Sequence, residues 1–457
     1  MKALRPEAMV RAGLCIGCGA CVAQSGVPGA RMRMDRDGLL RPAGPPGWSE
    51  NAVPRFERTC PFSPAADDED RIAAELFPHA GLHDAATGRF AAAYVGHAGE
   101  GAFRAEGSSG GMATWLAAQL LREGMIDGVA HVHAIEDPGR DGRFFRYRIS
   151  RDEDALKRGA RSRYYPVEMS EVLRIIMDTP GRYAVVGIPC FIKAVQLMRR
   201  EHPLLRERIR FTLGLFCGHM KSARFVESLA WQMGTTGRDV RGVEFRRKLP
   251  DRPASWYNAA LALHDGRVLD RDWWHLADGD WGAGFFMDPA CNFCDDVMAE
   301  TADVSFGDAW VEPYASDWRG NNVVLVRSPE VARIVSRAIE DGRVKLDRVD
   351  ASFVAQTQAA GLRQRREGLA YRLARLRGLR PRKRVVPDRR VPSAQRRLVY
   401  RMRCAISAGS HRAFRIARRL GIPAFYIGWA RVAAATYHAL AYHRGRLGAW
   451  IRRVGLR

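Results

Sequence analysis

Three cysteines within seven residues, Cys15, Cys18 and Cys21, restrict this chain more than any other feature it carries. Thiols spaced C-x2-C-x2-C, with a remote fourth cysteine followed by proline (here Cys60-Pro61), match the way a ferredoxin-type loop wraps a [4Fe-4S] cube. Gly17 and Gly19 let the backbone curl so that amide N–H groups point at the sulfurs. A structural zinc knuckle is the alternative, although zinc sites usually pair one C-x2-C with a second rather than placing three thiols in one run. The spacing predicts a ferredoxin-like segment over residues 1–70, with a Pro- and Gly-rich loop at residues 41–47 between the third and fourth ligands.

At 457 residues the chain exceeds what a single core covers, so two or three domains are expected. Nine cysteines follow an N-terminus that carries Lys2, Arg5, Glu7 and Arg11 and no apolar signal core. Metal-bound thiolates in a reducing cytoplasm fit that better than a disulfide scaffold. The net charge of +23 is local: residues 361–457 carry 26 Lys and Arg against only Glu367 and Asp388, which leaves the rest near neutral. The charge describes a tail and says nothing about the substrate, and no nucleic-acid partner is expected. The acidic run at residues 67–70 is either a solvated helix start or a surface for a basic partner.

An α/β pattern occupies residues 90–345. Gly107, Ser108, Ser109, Gly110 and Gly111 precede a helical run with Met112, Trp115, Leu116 and Leu120 on one face. Such a turn suits a pyrophosphate at a helix N-terminus, or is simply a Ser N-cap. No G-x-G-x-x-G occurs, which argues against a standard dinucleotide fold. Strands are predicted at residues 128–135, 183–187 and 210–216, a short strand and turn at 304–310, and a final buried strand at 323–326. Cys190 and Cys217 lie just past two of them, where open parallel sheets place ligands. With Cys291 and Cys294 they make a second four-thiol set, for a cluster or for zinc, and only Cys404 is left over. Asp308 either holds a ring or ribose or bonds its own turn.

In the tail, residues 420–442 contain one charge, Arg431, with Phe425, Tyr426, Trp429, Tyr437 and Tyr442 as interfacial aromatics. Pro423 and Arg431 argue against a spanning helix, and the pattern reads as a helix on an anionic membrane surface. An amphipathic helix packed on the protein's own body is the plainer alternative.

The ordered motifs C-x2-C-x2-C, Gly-Ser-Ser-Gly-Gly, residues 161–167 (RSRYYPV), Gly187-Ile188-Pro189-Cys190, Phe216-Cys217-Gly218, Cys291-x2-Cys294-Asp295 and residues 302–310 (ADVSFGDAW) resemble the coenzyme F420 hydrogenase/dehydrogenase beta-subunit family. Its relatives include F420-reducing subunits and single-chain reductases such as 7-hydroxymethyl chlorophyll a reductase, fed by ferredoxin. The resemblance implies an iron–sulfur flavoprotein in which two [4Fe-4S] clusters flank FAD: a ferredoxin-like segment, an α/β flavin-binding core and a basic helical C-terminal tail. By the same resemblance Gly107, Ser108, Ser109, Gly110 and Gly111 lie against FAD, with Ser162, Tyr164 and Asp308 nearby. Ferredoxin loops often place a fourth cysteine three residues after the third. Here residues 22–26 hold none, so Cys60 must serve.

The expected activity is oxidoreductase chemistry, from a ferredoxin-type donor through the clusters to FAD and a small-molecule substrate, with His219 as the candidate proton donor. The alternatives are an electron-transfer subunit of a larger F420-linked complex, and a membrane-associated reductase acting on a polysaccharide or lipid-linked precursor. The last would use the tail as a peripheral contact to the inner face of the cytoplasmic membrane.

Overall fold

Short apolar runs such as Tyr183–Gly187 have no polar face to turn toward water, so they are driven into the middle of a sheet covered on both sides. That is where the structure, a computed structural model describing residues 4–49, 53–390, 393–446 and 448–449, puts them. Residues 391–392, 447 and 450–457 of the basic tail lie outside the described residues.

Arg31–Met34 (β1) and Leu40–Ala43 (β2) form an antiparallel hairpin, and Leu82–Asp84 (β3) and Gly88–Phe90 (β4) form a second. The main sheet begins with Ala92–Ala98 (β5), Gly128–Ala134 (β6), Phe145–Ser150 (β7), Tyr183–Gly187 (β8) and Ile209–Leu215 (β9). Val240–Lys248 (β10), Tyr257–Leu263 (β11) and Val268–Asp272 (β12) then make a separate antiparallel sheet. Val304–Asp308 (β13), Asn322–Val326 (β14) and Val344–Val349 (β15) complete the main sheet in the order β15-β5-β14-β13-β9-β8-β6-β7. β13, β9, β8 and β6 run parallel, and β5 runs with them because β14 is antiparallel to both of its neighbours. The carboxyl ends of five strands therefore share one edge.

Alternation along β8 feeds two cores. Tyr183 and Val185 pack with helices Ser170–Asp178 and Pro189–Glu201, whereas Ala184 packs on the opposite face with helices Met112–Arg122 and Pro329–Glu340. The first core also takes in Leu14, Ile16, Cys18 and Phe62, so the N-terminal cysteine segment is fused to the sheet rather than tethered beside it.

Four expectations change. The buried strand at Asn322–Val326 is followed by one the sequence did not show, β15, a largely exposed edge strand pairing with β5. The helix that the sequence suggests over residues 191–198, after Cys190, starts at Pro189, so Cys190 lies inside its first turn. No serine caps the helix after the Gly-Ser-Ser-Gly-Gly turn: its N-cap is Gly111 at φ +79°, and the Met112 N–H donates to Asn322 Oδ1 at 3.1 Å.

The fourth correction concerns the tail, which is not a helix free to lie on a membrane. Ala394–Leu420 and Pro423–Tyr442 form a helical hairpin packed on the three-stranded sheet's core through Val399, Phe414, Tyr426 and Tyr437. Tyr426 is fully buried and donates to Asp278 at 2.9 Å, and His438 meets Asp280 at 2.7 Å. Of the five aromatics read as interfacial, only Phe425 (45% exposed) and Tyr442 (46%) face outward. Among the described residues no helix is long and apolar enough to cross a membrane.

Candidate functional site

Cys15, Cys18, Cys21 and Cys60 line one cavity of about 30 Å³, with Pro61 and Phe62 on one side and Met9 and Met32 on others. The backbone N–H groups of Gly17, Ala20 and Phe62 hydrogen-bond the sulfurs of Cys15, Cys18 and Cys60. Gly17 (φ +74°) and Gly19 (φ +84°) make this turn possible, and a Cβ on Gly17 would stand 2.6 Å from the Leu40 carbonyl oxygen. Burial, reinforced by the neighbouring thiols, pushes Cys18 up to about 12 and raises Cys21 and Cys60 as well. These shifts favour the protonated thiols, so iron binding would be coupled to release of their protons.

The second set is assembled from three places. β8 leads into the helix that carries Cys190, β9 ends just before Cys217, and the 3-10 turn Pro289–Phe293, capped by Asp288, carries Cys291 and leads into Cys294. Met220 N–H donates to Cys291 Sγ at 3.4 Å. Cys190 has Cys294, Cys217 and Cys291 as electrostatic neighbours and, beyond them, Cys18 of the first set. Burial raises all four thiols, Cys217 to about 11. The two sets adjoin, and Arg41 ties them together: it donates to the Cys15 carbonyl oxygen and, at 3.0 Å, to Asp288. Each set offers four thiols with at least one backbone N–H hydrogen-bonded to sulfur, the donor chemistry that a cubane takes. Among the described residues no group of three or more His, Cys, Asp or Glu side chains is arranged to hold a metal ion as it stands.

The tail closes over the second set. Arg365 donates to the Cys217 and Gly218 carbonyl oxygens at 2.8 and 2.7 Å, and Arg372 donates to the Asn292 carbonyl oxygen at 2.7 Å. Cys404, left over in the sequence, donates to Asn292 Oδ1 at 3.4 Å. Lys383 pairs with buried Asp295 at 2.8 Å, and Arg384 with Glu300. The acidic run caps its own helix through Asp68 and meets cations of both body and tail: Arg200 and Arg382 reach Asp67, Lys193 reaches Glu69 and Arg384 meets Asp70.

The residues assigned to FAD by resemblance gather at the same sheet edge. Ser108 Oγ accepts from the Ser162 N–H at 2.8 Å, and Ser109 Oγ donates to the Asn321 carbonyl oxygen at 2.9 Å. Gly107, Gly110 and Gly111 are glycines for reasons internal to the fold, since a Cβ on Gly110 would meet the Gly96 carbonyl oxygen at 2.6 Å. Asp308, at the end of β13, accepts a two-pronged hydrogen bond from Arg246 at 2.9 and 3.1 Å, beside Tyr164 and Tyr257. Lys248 donates to the Arg104 and Ser109 carbonyl oxygens at 2.6 and 3.0 Å. Among the described residues it has no carboxylate partner, and burial with the nearby arginines lowers it to about 8.

His219 is buried with its ring 4.6 Å from Trp281, and its Nε2 has no hydrogen-bond partner. Burial, with Lys221, Arg403 and Arg365 nearby, holds the ring neutral. Lys221 lies beside it, fully buried, donating to the Phe285 carbonyl oxygen at 2.7 Å over the rings of Phe225 and Trp281. Burial brings it down to about 7. Sequence reasoning missed Lys221, Arg246, Lys248 and Arg365. The run Arg246-Arg247-Lys248 on a strand was the only signal, and it reads equally as a solvated face. A cavity of about 760 Å³ lined by Trp231, Arg238, His264 and Pro423 involves none of these residues.

Two family models match the chain: coenzyme F420 hydrogenase/dehydrogenase, beta subunit N-terminus, over residues 93–174, and the C-terminus of the same subunit over residues 181–352. Together they span more than half of it, so the chain belongs to the coenzyme F420 hydrogenase/dehydrogenase beta-subunit family, and with it to the electron-transferring oxidoreductases. Among solved structures it is similar to a chain from the xenon-derivatised F420-reducing [NiFe] hydrogenase complex of Methanosarcina barkeri. The TM-score is 0.51 at 17% identity, covering 66% of this chain and 99% of that one, which establishes a shared fold. No curated protein matches.

Proposed function

We propose that the chain is an iron–sulfur flavoprotein oxidoreductase that takes electrons from a ferredoxin-type donor through two [4Fe-4S] clusters to FAD and a small-molecule substrate. The observation that supports this most is that thiols of both four-thiol sets share one core, with Cys18 within electrostatic reach of Cys190, at the sheet edge where the Gly-Ser-Ser-Gly-Gly turn, Tyr164 and Asp308 also gather. When bound, the clusters supply one-electron steps and the flavin pairs them into a hydride. Cys15, Cys18, Cys21 and Cys60 would hold the first cluster, with the Gly17, Ala20 and Phe62 N–H groups stabilising thiolate sulfur. Cys190, Cys217, Cys291 and Cys294 would hold the second. Lys248, which among the described residues has no carboxylate in an ion pair, is a cation available to a pyrophosphate, while Arg246 fixes Asp308 next to Tyr164. His219 Nε2 and Lys221 Nζ are the buried positions able to hold a proton near the reacting centre.

Anaerobic rapid mixing of the loaded protein with reduced ferredoxin tests the order of transfer. Flavin absorbance should bleach in the wild type and bleach at least tenfold more slowly in Cys60→Ser. Equal rates would remove the first set from the path.

A second reading, an electron-transfer subunit of a larger assembly, is favoured by one observation: the similar solved chain belongs to a hydrogenase complex. Turnover that appears only with a co-purifying chain would select it.

A further inference from the structure

Arg365 ends the helix Ala359–Arg365, beyond the last residue matched by the family models, at the start of the basic tail. It is 4% exposed. Both its hydrogen bonds to backbone go from one nitrogen, Nη2, to the carbonyl oxygens of Cys217 and Gly218, and its side chain also hydrogen-bonds the Cys217 thiol. Nη1 is buried with no hydrogen-bond partner, and among the described residues no carboxylate pairs with the guanidinium. Its electrostatic neighbours are Cys294, Cys217, Cys291 and Cys190. Of the other tail cations with little exposure, Lys383 is answered by Asp295 and Arg384 by Glu300, whereas Arg372 and Arg403 hold backbone carbonyl oxygens and, unlike Arg365, do not have the four thiols as their neighbours.

A guanidinium taken out of water without a counter-ion is strongly unfavourable. Neutral thiols do not answer it. Four thiolates around a cubane do, because the assembly is net negative and becomes more so with each electron it accepts. We infer that Arg365 is the built-in counter-charge of the second cluster, stabilising its reduced form and raising its reduction potential. The inference rests on the two-cluster reading and goes beyond it, because it assigns the C-terminal segment a part in electron flow. The step concerned is one electron passing from the first cluster, which is oxidised, to the second, which is reduced, with no bond made or broken.

The test is a mediated potentiometric titration of the full chain followed by EPR, on wild type, Arg365→Gln and Arg365→Lys, with iron and sulfide counted in each. In Arg365→Gln the reduced-to-oxidised ratio of the second cluster at fixed potential should fall at least tenfold, a downward shift of about 59 mV for a one-electron couple. The first cluster should stay put as the internal control. Arg365→Lys, which keeps the charge, should retain the wild-type midpoint. If Arg365→Gln fails to hold the second cluster, a loaded Arg365→Lys at the wild-type midpoint still supports the assignment. Loss of the cluster in both variants would place the role in the carbonyl hydrogen bonds and overturn it. An unmoved midpoint in a loaded Arg365→Gln would overturn it while leaving the two-cluster reading intact. A wild type with iron for one cluster only would overturn both.

Discussion

Lys248 and Asp308 illustrate how a single residue's meaning depends on what answers it. Asp308 is neutralised by Arg246, itself stacked against Tyr257 and Trp310, so that pair is closed. Lys248 holds two carbonyl oxygens and no acid, two residues further along the same strand. A charge-assisted hydrogen bond to phosphate contributes about 1.5–3 kcal/mol, so Lys248→Gln should weaken FAD binding by about tenfold or more, read by fluorescence titration of the flavin-free protein. The pH dependence follows: Lys248 is a cation below about 8 and loses its charge above, so wild-type association should weaken as pH rises through that value and the variant should lack this limb. Identical affinities would place the pyrophosphate elsewhere. The cysteines were legible at this scale because their spacing is itself chemistry. Lys221 was not, since nothing in Met220-Lys221-Ser222 distinguishes a fully buried lysine from a surface one.

The C-terminal segment is the element whose reading changed most. As sequence it is a cation-rich stretch followed by an apolar one; folded, its cations are distributed among the body's acids. Asp67, Asp68 and Asp70 meet Arg382 and Arg384, Asp37 meets Arg415, and Glu227 meets Arg418. Pairings across three hundred residues leave no local trace, so composition reveals the charge and conceals its partners. Strand assignments fared better where a run was apolar on both faces, as in β8 and β14. They failed for β15, where Lys345, Asp347 and Arg348 interrupt the apolar positions of an edge strand. The element makes its own prediction. Lys383 is 2% exposed between Asp295 and Glu69, and removing it leaves both carboxylates buried with less than their full complement of positive charge. Lys383→Ala should cost about 3–5 kcal/mol, measured as the shift of the urea unfolding curve of the loaded protein. A change under about 1 kcal/mol would mean the segment does not clamp the second cysteine loop.

Across the whole molecule, one sheet edge gathers the ends of β5, β8, β9 and β13, and with them the thiols, the glycine-rich turn and Asp308. The N-terminal cysteine segment packs into the same core, and the C-terminal segment covers the other side of the second set. The order of parts therefore suggests a path from Cys60 inward to Tyr164. The measurement that tests it most directly is the content of iron, acid-labile sulfide, zinc and flavin per chain after anaerobic purification. About eight iron, eight sulfide and one FAD are predicted, two four-iron clusters feeding one flavin. About four iron with zinc in the second thiol set, or no flavin, would contradict the account, leaving the Cys190, Cys217, Cys291 and Cys294 site structural and breaking the path at Cys18.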